Sequence, residues 1–315
     1  MTTIQSQAGA LPRLATPWRR PFETDSPVRL DVLHLTDPLC PWAYSFEPAL
    51  RAIEARYGDQ LRFQASMIGL VEPVEDSVAR GSSLRRDLAQ GILGFRRFGM
   101  PITPHLRSRS FASEAACRLV KAAERQDPIL AEEVLRLLRF ATFTTDLALD
   151  EDEVLAELGG QVEGLDVEKA IEELHGEGVR DAYLRDHATA REPSEIAVKL
   201  HRTLGSERYA APTLVLRNEA RQTAIVPGFQ PMEAVDVALM NLEPRLTRLP
   251  VPSIETLLDA YPGGLTSQEV ARVLADTTSE PDRTQTELAL LELAAEGHVA
   301  RTVLGDDALW TLGRG

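Results

Sequence analysis

The apolar positions of the chain fall into two regimes, one with the period of strands and one with the period of helices. In VRLDVLHLTD (residues 28–37), Val28, Leu30 and Val32 alternate with polar residues, and Leu33 and Leu35 then fill the gaps. This predicts a strand that passes from an edge into a buried core. Asp37-Pro38 ends it. Over the next twenty residues Trp42, Phe46, Leu50, Ile53 and Tyr57 recur at helical spacing, and Gly58 closes the last turn. LRFQASMIGLV then alternates at Leu61, Phe63 and Ala65, a second strand. Strand, turn, helix and strand make a βαβ unit.

From residue 73 to 200 nearly every periodic segment is helical. The segments beginning at Gly81, Phe111, Pro128, Asp150 and Asp166 each suit one helix, with Gly, Pro or Asp between them. RYAAPTLVLRN and TAIVPGF then read as a strand hairpin, followed by the helix PMEAVDVALMNL. The Pro-rich link LPVPS leads into a last stretch with capping-box signals at Thr266 with Glu269 and at Thr284 with Glu287. After these, GHVARTVLGDDALWTL reads as a two-stranded wing turning at Gly305-Asp306. The expected organisation is a tail (1–26), a core in two pieces (27–72 and 201–245), a helical insertion (73–200) and a small winged-helix-like module (250–315).

Composition narrows the setting. A chain of 315 residues with 43% hydrophobic content can bury more than one core. No run approaches the ~18 apolar residues of a membrane span, and the amino terminus lacks a secretory apolar stretch, so a cytoplasmic protein is expected, with no membrane partner. Two cysteines do not make a disulfide scaffold. A formal charge of −14 repels polyanions, and the helix over TQTELALLELAAEG, where a DNA reader would carry Arg or Lys, is acidic and apolar. Nucleic acid is therefore not an expected partner, and the last module reads as a packing or protein-contact unit. The six histidines show no HxxxH or HExxH spacing and there is no CxxC pair, so no metal is expected; His34 reads as structural.

The chemistry concentrates at Cys40. It follows a strand and opens a helix, where unpaired N–H groups and the helix dipole favour a thiolate, so its pKa is expected below the free value of about 8.5. Pro41 suits the first helical turn, and Trp42 is a large apolar neighbour able to shape a substrate surface.

DPLCPWAYSFEPALRAIEARYGDQLRF resembles the active-site segment of DsbA-type members of the thioredoxin superfamily, in particular a bacterial branch with a DPLC-x-W-C-W-x-FEP pattern. That branch includes oxidoreductase-like proteins and protease adaptors. The resemblance extends over residues 28 to 245 and implies an α/β thioredoxin-like fold with an inserted helical domain. Pro48 falls where thioredoxins kink this helix. Pro212, preceded by Ala211, matches the cis-proline that faces the active cysteine and forms the substrate-binding strand edge.

One departure matters more than the match. The second cysteine of the pattern is Ala43 here, giving Cys40-Pro41-Trp42-Ala43 and removing the thiol that would resolve a mixed disulfide. Three explanations fit: a natural monothiol protein that uses a small thiol, a protein that kept the fold for binding, or an engineered replacement. The favoured expectation is a monothiol thiol-disulfide oxidoreductase or thiol transferase with Cys40 as nucleophile. It would have no tightly bound cofactor, glutathione or another small thiol as cosubstrate, and a protein disulfide as substrate; a homo-oligomer is compatible with this. The alternatives are a noncatalytic adaptor and a kappa-type glutathione transferase or isomerase, which usually places Ser at this position. Cys117, among Ala and Leu, reads as a packed thiol rather than a distant resolver. Arg96, Arg97, Arg107 and Arg109 are candidates for holding a glutathione-like carboxylate. Tyr44 and Ser45 are candidate hydrogen-bond donors to substrate.

Overall fold

A computed structural model describes residues 22–71, 84–103, 109, 111–204, 207–275 and 279–313. The sheet is built as the hydrophobic alternation requires. β1 (Leu30–Thr36) pairs in parallel with β2 (Leu61–Met67), Leu30 opposite Leu61 and Thr36 opposite Met67. The connection between them is α1 (Pro41–Tyr57), which places a helix on one face of the sheet. Gly58 at its end has φ +54°, and a Cβ there would come within 2.2 Å of the Phe22 carbonyl oxygen, so only glycine fits.

The insertion supplies α2 (Leu84–Phe95), α3 (Glu114–Gln126), α4 (Pro128–Thr144), α5 (Asp152–Gly159), α6 (Val167–Leu174), α7 (Glu177–Ala190) and the short α8 (Glu195–Lys199). Asp127 caps α4 by accepting from the Ile129 N–H, with Pro128 in the first turn. A two-residue ribbon of β3 (Thr203–Leu204) and β4 (Arg208–Tyr209) returns the chain to β5 (Thr213–Asn218) and β6 (Thr223–Val226). β5 is antiparallel to β1, with Leu30 opposite Asn218, and the sheet order is β2-β1-β5-β6. α9 (Met232–Leu242) packs back on β6. This is a mixed α/β, thioredoxin-like architecture of the DsbA kind, a small sheet interrupted by a helical block.

Beyond it lie α10 (Ile254–Ala260), β7 (Leu265–Thr266), α11 (Ser267–Leu274), α12 (Arg283–Ala295), β8 (Val299–Leu304) and β9 (Asp307–Leu312), with sheet order β7-β9-β8. The capping box at Thr266 and Glu269 is present, but the expected one at Thr284 is not. α12 starts two residues earlier, because Asp282 accepts from the Gln285 N–H and is the stronger cap. The hairpin turns at Gly305, φ +57°. The segment expected to stand apart shares cores with the rest: Leu265, Val270 and Trp310 lie in one apolar cluster with Val32, Phe46 and Ile53, and Leu304 and Leu309 join the cluster of the helical insertion. The hairpin tip also clasps residue 102, where the Asp306 carboxylate accepts from the Ile102 N–H at 2.8 Å and the Asp306 N–H donates to the Ile102 carbonyl at 3.1 Å.

Charge crosses the same boundary. Arg136 of α4 places both terminal nitrogens on the Glu269 carboxylate of α11 at 2.6 and 2.8 Å, with a further donation to the Gly264 carbonyl, and both side chains are buried. Removing one partner leaves an uncompensated charge out of reach of water. Arg136→Ala is therefore expected to lower stability by about 3–5 kcal/mol in denaturant unfolding, whereas the double replacement Arg136→Met with Glu269→Leu should recover much of the loss.

Candidate functional site

The turn that ends β1 is organised by Asp37, a residue whose only sequence sign was its place before Pro38. One carboxylate oxygen accepts from the Leu39 N–H at 2.8 Å; the other accepts from the Leu70 N–H at 2.6 Å and the Ser113 hydroxyl at 2.8 Å, with the Cys117 thiol at 3.6 Å. Asp37 thus ties the end of β1 to the loop after β2 and the start of α3. Its side chain is fully buried, and desolvation raises its pKa against the pull of those donors. Cys117 lies inside this knot; burial and the neighbouring carboxylate push its thiol well above the ordinary range.

Cys40 is the N-cap of α1, and its sulfur accepts from the Ala43 N–H at 3.4 Å. The Cys40 thiol points at the Ala211 carbonyl, 3.7 Å away, and the Ala211–Pro212 peptide is cis. The structure therefore brings Cys40, Ala43 and Ala211 into one apolar cluster. Trp42 stands outside it, 40% exposed, edge-on to Phe95 and against Phe98 and Phe229. Pro41 occupies the first helical position and Pro48 lies inside the helix.

The expectation of an acidic, open thiol is overturned. Cys40 is only 2% exposed, and burial pushes its pKa up to about 11; the Ala43 and Trp42 N–H groups and Arg139 pull it down, but Asp37 opposes them. Cys40 shares its apolar cluster with Ile68 after β2, Ala190 at the end of α7, Ala197 of α8 and Tyr209 of β4. Tyr209 accepts from the Ser194 N–H at 2.8 Å and so fastens the start of α8. Ala190, Ala197 and Tyr209 carry no sequence signal of their own, since they are small or aromatic residues in a segment without clear periodicity, whereas Ile68 lies in the run read as the second strand.

Other expected participants are engaged elsewhere. Tyr44 is buried, donates to the Pro101 carbonyl and stacks on Phe143, and Ser45 is buried, so neither faces a substrate. Arg109 pairs with Asp150 and Glu151, Arg96 pairs with Asp306, and Arg97 lies over the Phe98 ring. These arginines do not form a carboxylate-binding cluster; Arg107 lies outside the described residues, as do residues 1–21 of the tail.

Beside the middle of α1 lies a cavity of about 40 Å³, large enough to admit water, whose lining includes His34, Glu47, Leu50, Arg51, Arg136 and Arg139. His34 is buried and its Nε2 has no hydrogen-bond partner. Burial, then Arg139 and Arg51, drive its pKa well below 6.5. A histidine held neutral in the fold binds fewer protons than in the unfolded chain, so its contribution to stability is complete above its unfolded pKa and falls away as pH drops below about 6.5. The stability difference between His34→Phe and wild type should consequently grow in favour of the variant from pH 7 to pH 5, read by urea unfolding. Cys40 in turn should show thiolate absorbance only toward pH 11 and alkylate slowly at pH 7; rapid labelling of the folded protein at neutral pH would contradict the closed geometry.

Comparisons with known proteins agree with this architecture. A thioredoxin family model, Thioredoxin_5, matches residues 34–235. The chain is 27% identical over 273 residues to the ClpXP adapter protein SpxH of Shouchella clausii, covering 85% of this chain and 84% of that protein. Among solved structures, a provisionally assigned protein disulfide isomerase of Nitrosomonas europaea superposes with a TM-score of 0.51 at 17% identity, over 68% of this chain and 97% of the other. A probable DsbA oxidoreductase of Streptomyces coelicolor gives 0.50 at 20% identity, over 72% and 95%. Among the described residues, no helix is long and apolar enough to cross a membrane. With a family model covering well over half of its length, this chain belongs to the thioredoxin family.

Proposed function

We propose that this chain is a protein-binding member of the family, of the adaptor kind, that receives an extended protein segment along the strand edge at Ala211 and Pro212. The observation that carries the reading is the enclosure of Cys40 with Ala43 in the helical position where a resolving thiol would stand. A nucleophile titrating near 11 is about one part in 10⁴ thiolate at pH 7, and thiol exchange depends on thiolate fraction and access together. Support also comes from the relative named a ClpXP adapter, whose likeness extends over most of both chains. In this reading the cytoplasm is the place of work, the segment after residue 250 is a winged-helix-like protein-contact module, and the core, insertion and module keep the boundaries read from the sequence.

A second reading keeps the chain an enzyme. The thiol of Cys40 sits at a helix start, 3.7 Å from the Ala211 carbonyl, which is where a monothiol oxidoreductase using glutathione or a similar thiol would hold its nucleophile. Two assays separate the readings. Wild type is expected to show no turnover of insulin disulfides with or without glutathione, and Ala43→Cys at most a small gain. In a reconstituted ClpXP system, the chain is expected to accelerate degradation of a client that binds it, and Cys40→Ser, which removes the thiol and keeps a helix-capping residue, should leave that effect unchanged. Glutathione-dependent turnover that disappears in Cys40→Ser would establish the enzyme instead.

A further inference from the structure

Among the described residues, α12 carries an unpartnered face with a defined chemistry. Thr284, Leu288, Leu291 and Ala295 recur at four-, three- and four-residue spacing, so they form one stripe along the helix, and all four are exposed. Leu288 is 49% and Leu291 47% exposed, while Thr286 and Leu290 fill the inward face. Glu292 and Glu296 line one side of the stripe and the half-buried Glu287 the other. The one basic residue of this helix, Arg283, is turned away: it pairs with Asp307 at 3.0 Å and donates to the Gly99 carbonyl. The surroundings reinforce the sign, since residues 254–315 hold eleven acidic residues, four arginines and no lysine.

We infer that this face is a docking surface for a basic amphipathic helical segment of another protein. The spacing of Leu288, Leu291 and Ala295 is that of a seam between two helices, in which apolar side chains of a partner pack and flanking charges choose the partner. The carboxylates on both flanks select Lys and Arg at the partner's flanking positions. They also disfavour the second copy of this chain as occupant, because a self-pair would set Glu against Glu on both sides of the seam. A 13-residue helix is only about 20 Å long, so the contact is small and belongs among weak, transient interfaces. The inference stands on this surface alone and goes beyond the strand-edge reading; the two faces are different parts of the fold.

The test uses the full chain and a fluorescein-labelled 14-residue peptide with leucines at seam spacing and lysines beside them, followed by anisotropy. Controls are a scrambled peptide of the same composition and one with glutamates in place of the lysines. The seam peptide is expected to bind with a micromolar Kd that weakens with salt, and both controls at least tenfold more weakly. The variants Leu288→Ser with Leu291→Ser, and Glu292→Lys with Glu296→Lys, alter only exposed side chains and should keep the wild-type circular dichroism and unfolding midpoint while each loses at least tenfold in affinity. Equal binding of the scrambled peptide, unchanged affinity in the two variants, or no binding to wild type overturns the inference. A concentration-dependent dimer abolished by Leu288→Ser with Leu291→Ser also overturns it, because the face would then be a self-contact.

Discussion

The structure turns on a helix that is buried on its charged side as well as its apolar side. In α1 the residues Phe46, Leu50 and Ile53 pack in the apolar core, while Glu47, Arg51 and Glu54 are also withdrawn from water. A carboxylate cannot be taken there alone. Glu47 is met by Arg139 and Arg136 from α4 and by Arg51 one turn along its own helix. Burial raises its pKa, but the three guanidinium groups overcome that and hold it below the ordinary range. The set continues through Arg136 to Glu269, and through Arg51 and Glu54 to the Tyr261 hydroxyl. Each link requires a different element, so α4, α11 and the end of α10 must all be in place before the charge on α1 is compensated. Such clusters add little net stability over an apolar core, and their use is to admit one arrangement and penalise others.

That constraint reaches the thiol site through Arg139. Its guanidinium bonds both Glu47 on α1 and the Thr36 hydroxyl at the end of β1, thereby bridging the two sides of the turn that holds Asp37 and Cys40. Asp37 fixes the same turn from the other side by gathering the Leu70 and Ser113 donors. The Cys40 backbone is therefore held between two buried polar knots. Its side chain joins an apolar cluster to which α7, α8 and Tyr209 also contribute. α8 has five residues, and Ile196, Val198 and the following Leu200 are exposed. A segment of this kind opens at lower cost than the sheet beneath it.

Much of this frame was legible in the sequence, and the reasons differ by element. The alternation at Val28, Leu30 and Val32 and the filled run after it announced a strand passing from an edge into a buried core, and the helical spacing from Trp42 to Tyr57 announced α1. Glu47, Arg51 and Glu54 gave no hint of burial, because a charged residue on a helix looks the same whether it meets water or a partner from residue 136 or 269. The helix start at Cys40 was plain, yet the thiolate expected from it was wrong: helix position is a local property, whereas burial also involves residues far along the chain, such as Ala190, Ala197 and Tyr209. Arg96 and Arg109 were misread for the same reason, since Asp306 claims the one and Asp150 and Glu151 the other. The misplaced start of α12 was a contest between two local caps, Asp282 and Thr284, that the sequence contained in full.

The presence of a cysteine at position 40 does not by itself demand redox chemistry. An N-cap usually carries Ser, Thr, Asp or Asn, whose oxygen accepts more strongly from a helix N–H than sulfur does. Here the cap sits among Leu35, Ile68, Ala190 and Ala197, where a hydroxyl would need full hydrogen bonding in place of water. A thiol is easier to bury: it accepts weakly from Ala43, donates weakly to Ala211 and otherwise packs as a small apolar group. Ala43 has the same logic, being fully buried where a second sulfur would enlarge a filled site. Packing alone thus accounts for Cys40 and Ala43 as a pair, and the residue types cannot separate a binding protein from an enzyme. Access separates them: exchange requires an attacking sulfur to approach Cys40 in line, and Cys40 is only 2% exposed.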